Sequence, residues 1–170
     1  PSTPAVPNGA GADASGAPLL SVTHLTAAYR TGEGVLPAVR DVSFDLHAGE
    51  VLALVGESAA GKTTVAQAIL GLLPQQATIT GDVRYRGASL QSMSADALRR
   101  VRGEEIAIIF QNALASLTPT LAIGDQLAEV YRAHRGMDEA TARAAALDVL
   151  RTVLPDPERI ADAFPFQLSG

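Results

Sequence analysis

The stretch VLALVGESAAGKTT, Val51 to Thr64, decides the fold. Val51 to Val55 is apolar at every position, the pattern of a strand buried on both faces of a parallel sheet. A loop from Gly56 to Gly61 follows. The next segment, KTTVAQAILGLL, places Val65, Ile69 and Leu72 at helical spacing, with Pro74 expected to stop the helix. Strand, glycine loop, helix is the predicted order. Lys62 is the only lysine among 170 residues, and the other twelve basic residues are arginines. An ammonium is a compact point charge on a thin stem, whereas a guanidinium is a wide planar fork. Position 62 therefore asks for a charge that fits among backbone amides, and a tightly held phosphate is the group that needs one.

The same segment meets the pattern G-x-x-x-x-G-K-[ST] in full at Gly56, Gly61, Lys62 and Thr63. Glycines let the backbone turn sharply and approach an anion, successive amides point into the concavity, and the following helix adds the positive end of its dipole. The ATP-binding stretch then comprises Gly56, Glu57, Ser58, Ala59, Ala60, Gly61, Lys62, Thr63 and Thr64. Lys62 would reach the β and γ phosphates and the Thr63 hydroxyl would ligate Mg2+. The competing reading is an ordinary glycine-rich turn with a surface lysine. Against it stand the flanking strand and helix, the context that a phosphate loop requires. Ala59 stands where related loops commonly carry glycine; if its φ must be positive, alanine costs on the order of 1 kcal/mol there.

Composition bounds the partners. A length of 170 residues suits one domain or most of one. With a net charge of -5 the chain advertises no basic surface for nucleic acid or an anionic membrane. Arg99, Arg100 and Arg102 cluster, and read as a solvated helix face. The chain has no cysteine, which excludes disulfides and cysteine metal sites and is compatible with the cytoplasm. His24, His47 and His134 are far apart in sequence and read as packing or surface residues. No apolar run approaches the roughly 20 residues of a membrane-spanning helix. Residues 1–18, rich in Pro, Gly, Ala and Ser, read as a disordered tail or linker, and a start on Pro1 instead of methionine reads as a trimmed N-terminus.

Around the central unit the pattern predicts further elements. LLSVTHL and VSFDLH read as short strands, the second with Val42, Phe44 and Leu46 on one face, and HAGE, His47 to Glu50, as the turn after it. GDVRYRG resembles an edge strand, SADALRRVRG a helix capped by Ser94, and IAIIF, Ile106 to Phe110, a second buried strand. The rest is helical: Ile123, Leu127 and Val130 share one face, and Leu147, Leu150 and Leu154 share another behind an Asp138 cap. This is an α/β protein, a mixed sheet followed by a helical lobe.

From Leu19 to Gly170 these residues resemble the ATP-binding subunits of ABC transporters. IIFQ, ending at Gln111, is similar to the family's Q-loop, and FQLSG, Phe166 to Gly170, to the start of its LSGGQ signature. GESAAGKTT, IIFQNALASLTPTLAIGDQLAE and FPFQLSG are similar to importers of dipeptides, oligopeptides and nickel in particular, although Phe166 stands where such importers commonly carry histidine. The resemblance implies a P-loop NTPase core of the ABC ATPase type, with an N-terminal antiparallel β-subdomain and a helical subdomain, incomplete at its C-terminus. It divides the chain into a β-subdomain and phosphate-loop core over 19–112 and a helical subdomain over 113–170. It implies that Tyr29 stacks on adenine, that Gln111 contacts Mg2+ and senses the γ phosphate, and that Leu168, Ser169 and Gly170 serve ATP held by a second ATPase domain. It places the Walker B aspartate, the adjacent catalytic glutamate and the switch histidine beyond Gly170, so no catalytic residue falls within the chain.

The function implied is an ATP-binding, energy-coupling subunit of an importer at the cytoplasmic face of the cell membrane. Its cofactors would be ATP and Mg2+. Its partners would be a second ABC ATPase domain, transmembrane permease subunits and, indirectly, an extracytoplasmic solute-binding protein. A P-loop kinase would share Gly56 to Thr63 but would need neither Gln111 nor the signature. A nucleotide-binding fragment without turnover and an ABC ATPase of non-transport function are the remaining readings.

Overall fold

A computed structural model of the chain describes residues 16–112 and 114–168. Most of the tail expected to be disordered, and Ser169 and Gly170 of the expected signature, lie outside the described residues. The chain forms two compact units, one ending at Leu98 and the other beginning at Arg99. That division falls inside a helix, ahead of the 112/113 boundary drawn from the motifs.

The first unit is built on an antiparallel sheet. Strands β1 (Leu20–Thr31) and β2 (Gly34–Leu46) form a long hairpin, joined by Gly32 and Glu33, and β3 (Ala77–Tyr85) and β4 (Ala88–Ser89) complete the order β2-β1-β3-β4. The short strands expected from LLSVTHL and VSFDLH are thus pieces of one hairpin whose ladder runs on to Thr31 and Gly34. The expected edge strand is β3, which pairs with β1 from Leu20 to Tyr29 and carries only the two-residue β4 on its other side. Alternation places Val42, Phe44 and Leu46 half-buried and Ser43 and Asp45 exposed, as a sheet with one wet face requires. After β2 the turn at HAGE is closed by its own ends: the His47 amide donates to the Glu50 carboxylate at 2.8 Å and holds that carboxyl below its usual range.

The sheet bends at one level. The ladders shift register beyond Val22 and Thr23, where His24 and, on β2, Asp41 adopt φ of 51° and 50°. Side chains satisfy the amides released there: Ser43 Oγ accepts from the His24 amide at 2.8 Å and Thr26 Oγ1 from the Asp41 amide at 3.0 Å. Gly81 faces this bulge, and a Cβ on it would lie 2.5 Å from the His24 carbonyl oxygen. The core under the sheet is Val22, Leu25 and Ala27 from β1, Val39 from β2 and Val83 and Tyr85 from β3. Helix α1 (Lys62–Ile69) lies against β1 and β2 and buries Val65 and Ala68. It ends earlier than Pro74 would dictate. Gly71, at φ 61°, reverses the chain, and the Leu72 amide turns back to the Gln67 carbonyl at 2.8 Å.

Two sequence expectations are not met. Val51 to Val55 forms no strand: no described segment pairs with it, and Val51 and Val55 are 94% and 92% exposed. A strand buried on both faces is specified by neighbours on both sides, and none stands beside it among the described residues. Ile106 to Phe110 likewise makes only a single bridge, between Arg102 and Ile106. Its burial still alternates, with Ile106, Ile108 and Phe110 half-buried and Ile109 exposed, so the period of a strand is present without its ladder.

Helix α2 (Ala95–Glu104) crosses the division between the units; its Ser94 cap accepts from the Ala97 amide at 3.3 Å. The second unit packs α3 (Ile123–Arg135), α4 (Glu139–Val153) and α5 (Pro157–Asp162). Its seam is made of small residues: Ala128 on α3 meets Ala142 and Ala146 on α4, flanked by Leu127, Tyr131 and Met137. Alanines at this seam let the helices approach, and Gly124 extends the fit to α5, where a Cβ would stand 3.0 Å from the Ala161 carbonyl oxygen. Val130, expected in the buried face, is 53% exposed because the seam runs through the alanines and turns it outward. Of the α4 leucines, Leu150 is buried and Leu147 and Leu154 are half-buried. Asp138 caps α4 as expected, accepting from the Thr141 amide at 3.0 Å and its hydroxyl at 2.7 Å. Arg143 ties the three helices from outside through Asp125 on α3 and Asp162 on α5.

Candidate phosphate-binding site

The loop between Val55 and α1 owes its shape to three residues. Gly61 is the N-cap of α1 at φ 87° and ψ 3°, a left-handed conformation that opens the helix. It also stands against the sheet: a Cβ there would lie 2.4 Å from the Ala38 carbonyl oxygen and 3.4 Å from Val39 Cγ2. Glycine at 61 is therefore demanded twice, by torsion and by space. Ala59 adopts φ 63°, which answers the question its position raised. The Ala60 amide donates to the Glu57 carbonyl at 3.2 Å, closing a turn in which Ala59 is the third residue. Gly56 lies beneath, and a Cβ on it would press on Ala60 Cβ at 3.3 Å.

Lys62 completes the loop. Its Nζ donates to the Gly56 carbonyl at 2.7 Å and to the Glu57 carbonyl at 2.6 Å, folding the side chain back over the concavity from the first turn of α1. Helix geometry leaves the amides of Gly61, Lys62, Thr63 and Thr64 without an intrahelical acceptor, and the Gly61 N-cap has no side chain to answer them. The Val65 amide, next in line, is satisfied by the Gly61 carbonyl at 2.9 Å. There is no acidic residue in the first turn, so nothing on the helix itself neutralises the positive end of its dipole. Thr63 is exposed beside these amides, and so are Glu57, Ser58 and Ala60. The arrangement suits an anion: free amides, a dipole end, a movable ammonium and a hydroxyl able to ligate a hard cation.

The other expected site residues lie apart from this cluster in the chain. Tyr29 is half-buried near the end of β1, opposite Leu36 on β2 and Ala77 on β3. Gln111 is exposed and Leu168 half-buried, both within the unit that begins at Arg99. Sequence reading gives no sign of the Ala38 carbonyl as the wall behind Gly61, because that contact joins positions 23 apart, 61 less 38, and carries no local pattern.

Residues 39–170 match the family model described as ABC transporter. The chain is 41% identical over 155 residues to the oligopeptide transport ATP-binding protein OppD of Mycobacterium bovis, covering 90% of this chain and 25% of that protein. To the dipeptide transport ATP-binding protein DppD of Bacillus subtilis it is 41% identical over 155 residues, covering 89% of this chain and 46% of the relative. It thus spans between a quarter and half the length of these relatives. Among solved structures it is similar to a dimeric bacterial ABC transporter cassette, MJ0796, with TM-score 0.72 and 28% identity over 89% of this chain and 63% of the other. The same cassette in a post-hydrolysis state bound to ADP and Pi matches with TM-score 0.69 and 26% identity, over 88% of this chain and 63% of the other.

Proposed function

The chain belongs to the ABC transporter family, and on that premise we propose that it is the ATP-binding, energy-coupling part of an importer for peptides or nickel. The observation that carries this reading is the loop at the head of α1, which brings together Lys62, the strained turn at Ala59 and the open amides from Gly61 to Thr64. Lys62 exchanges a loop carbonyl for the β and γ phosphates of ATP, and the helix amides hold the phosphate oxygens. The Thr63 hydroxyl, exposed beside these amides, suits magnesium as well. Thr63 would hold Mg2+ from the phosphate loop and Gln111 from the Q-loop, and the ion supplies charge that offsets the triphosphate where one lysine cannot. Tyr29 offers its ring to the adenine.

We assign residues 19–112 to nucleotide binding, with Gln111 as the sensor of the γ phosphate, and residues 113–170 to the coupling of closure to membrane partners. We assign Leu168, Ser169 and Gly170 to binding ATP held by a second ABC ATPase domain. We assign hydrolysis to the full-length protein in that dimer, at the cytoplasmic face of the membrane beside permease subunits, with an extracytoplasmic solute-binding protein delivering the cargo. Two supports for the peptide assignment are the names of the relatives and the identity shared with them. The test is uptake by intact cells. Disrupting the gene should abolish uptake of a labelled dipeptide, an oligopeptide or nickel, restored by the parent gene and not by Lys62→Arg. Unchanged uptake of all three would reject the importer assignment.

A further inference from the structure

Ala59 is one of four non-glycine residues at positive φ among those described, with His24, Asp41 and Arg86. Its turn has the sign pattern of type II, a positive φ at the third position after a residue that lacks one, and such turns select glycine or asparagine there. Alanine meets the penalty that a Cβ suffers in the left-handed region and has no side-chain polar group to offset it. Something else must hold the turn closed. The strongest restraint present is Lys62, whose ammonium binds the Gly56 and Glu57 carbonyls, the second being the same oxygen that accepts the Ala60 amide. A charged donor makes both bonds stronger than neutral ones.

We propose that Ala59 is a positioning residue that makes the binding shape of the phosphate loop conditional on Lys62. The ammonium clamps a turn that alanine disfavours. Removal of the ammonium opens the loop, and loss of Lys62 therefore removes a preformed cradle together with a charge. Glycine at 59 would uncouple the two, because the turn would then stay closed without help. The proposal rests on the nucleotide-binding reading only where ligand is used; the loop's own state is measurable in its absence.

The experiment is a cycle of four proteins, each of full length: the parent, Ala59→Gly, Lys62→Met and the double variant. Methionine keeps the length of the stem and deletes its charge. Amide exchange of the loop is followed by mass spectrometry without nucleotide. Lys62→Met should speed exchange of the Ala60 amide, which the Glu57 carbonyl holds in the closed turn, and Ala59→Gly in the Lys62→Met background should slow it again about fivefold. Fivefold is the equilibrium weight of the ~1 kcal/mol that alanine costs in this region. No change on Lys62→Met, or no slowing when Ala59→Gly is added to it, would overturn the proposal. Binding of Mg-ATP by the parent is the second arm, and it reads the nucleotide site separately from the clamp. Failure of the parent to bind Mg-ATP contradicts the nucleotide reading alone, and the exchange arm still decides the clamp.

Discussion

Gly61→Ala tests whether the loop is built against the sheet. The new Cβ would stand 2.4 Å from the Ala38 carbonyl oxygen, closer than such atoms come in folded proteins, and 3.4 Å from Val39 Cγ2. Val39 is buried in β2, a strand that pairs with β1 along its whole length, so the wall cannot retreat without disturbing the ladder. The backbone cannot relax in place either, because φ is 87°. Left-handed strain contributes about 1–2 kcal/mol and overpacking about 1–3 kcal/mol, offset by the roughly 0.4–1 kcal/mol that alanine gains by restricting the unfolded chain. The net loss is about 1–4.5 kcal/mol, a fall in Tm of roughly 2–18 °C for a chain of this size. Thermal unfolding followed by circular dichroism reads it directly. Gly32→Ala is the comparison, since a Cβ on Gly32 would meet nothing within 4 Å and its φ is not positive, and the Tm of that variant should stay with the parent. A Gly61→Ala protein that melts with Gly32→Ala would refute the packing of the loop on Ala38.

Three further outcomes are expected. Leu25→Ala deletes a side chain with 0% exposure at the centre of the sheet's core and should cost about 2–5 kcal/mol in urea unfolding, whereas a loss below about 1 kcal/mol would misplace that core. Arg143→Met severs the ties to Asp125 and Asp162, both solvent-exposed, and should lower stability by no more than about 1 kcal/mol; a larger loss would mean the alanine seam alone does not hold the three helices. Asp138→Ala should fray the first turn of α4 at neutral pH. The amide and hydroxyl of Thr141 hold the Asp138 carboxyl below its ordinary value of 3.8, so its contribution is full above that pH and fades as pH falls through the lowered folded value. Helicity of parent and variant should therefore differ at pH 7 and converge in strong acid, and a gap that persists there would assign the effect to something other than the charged cap.

What can be read from the sequence is what is local. Gly56, Gly61, Lys62 and Thr63 carry their spacing and torsional needs in their own identities, and the loop has the form they imply. Ser94 and Asp138 are caps because a short polar side chain before a helix answers amides within its own turn. Val51 to Val55 and Ile106 to Phe110 read as paired strands and are not, because an apolar run specifies a strand only through partners elsewhere in the chain, and among the described residues no ladder reaches them. Periodicity draws the face of α3 through Val130 because large apolar residues dominate such a count. The seam instead uses Ala128 against Ala142 and Ala146, where closeness of approach matters more than bulk. Gly71 ends α1 before Pro74 can, since a left-handed glycine closes a helix as firmly as a proline forbids one.

The most direct test of the central claim is equilibrium binding of Mg-ATP to the full-length protein and to Lys62→Arg. The substitution conserves charge, but a guanidinium is too broad to enter the loop that the ammonium spans with bonds of 2.7 and 2.6 Å. The account predicts saturable binding by the parent and its loss in Lys62→Arg, with both proteins folded by circular dichroism. Equal affinity in the two, or no binding by the parent, would contradict the assignment of this loop as the nucleotide site.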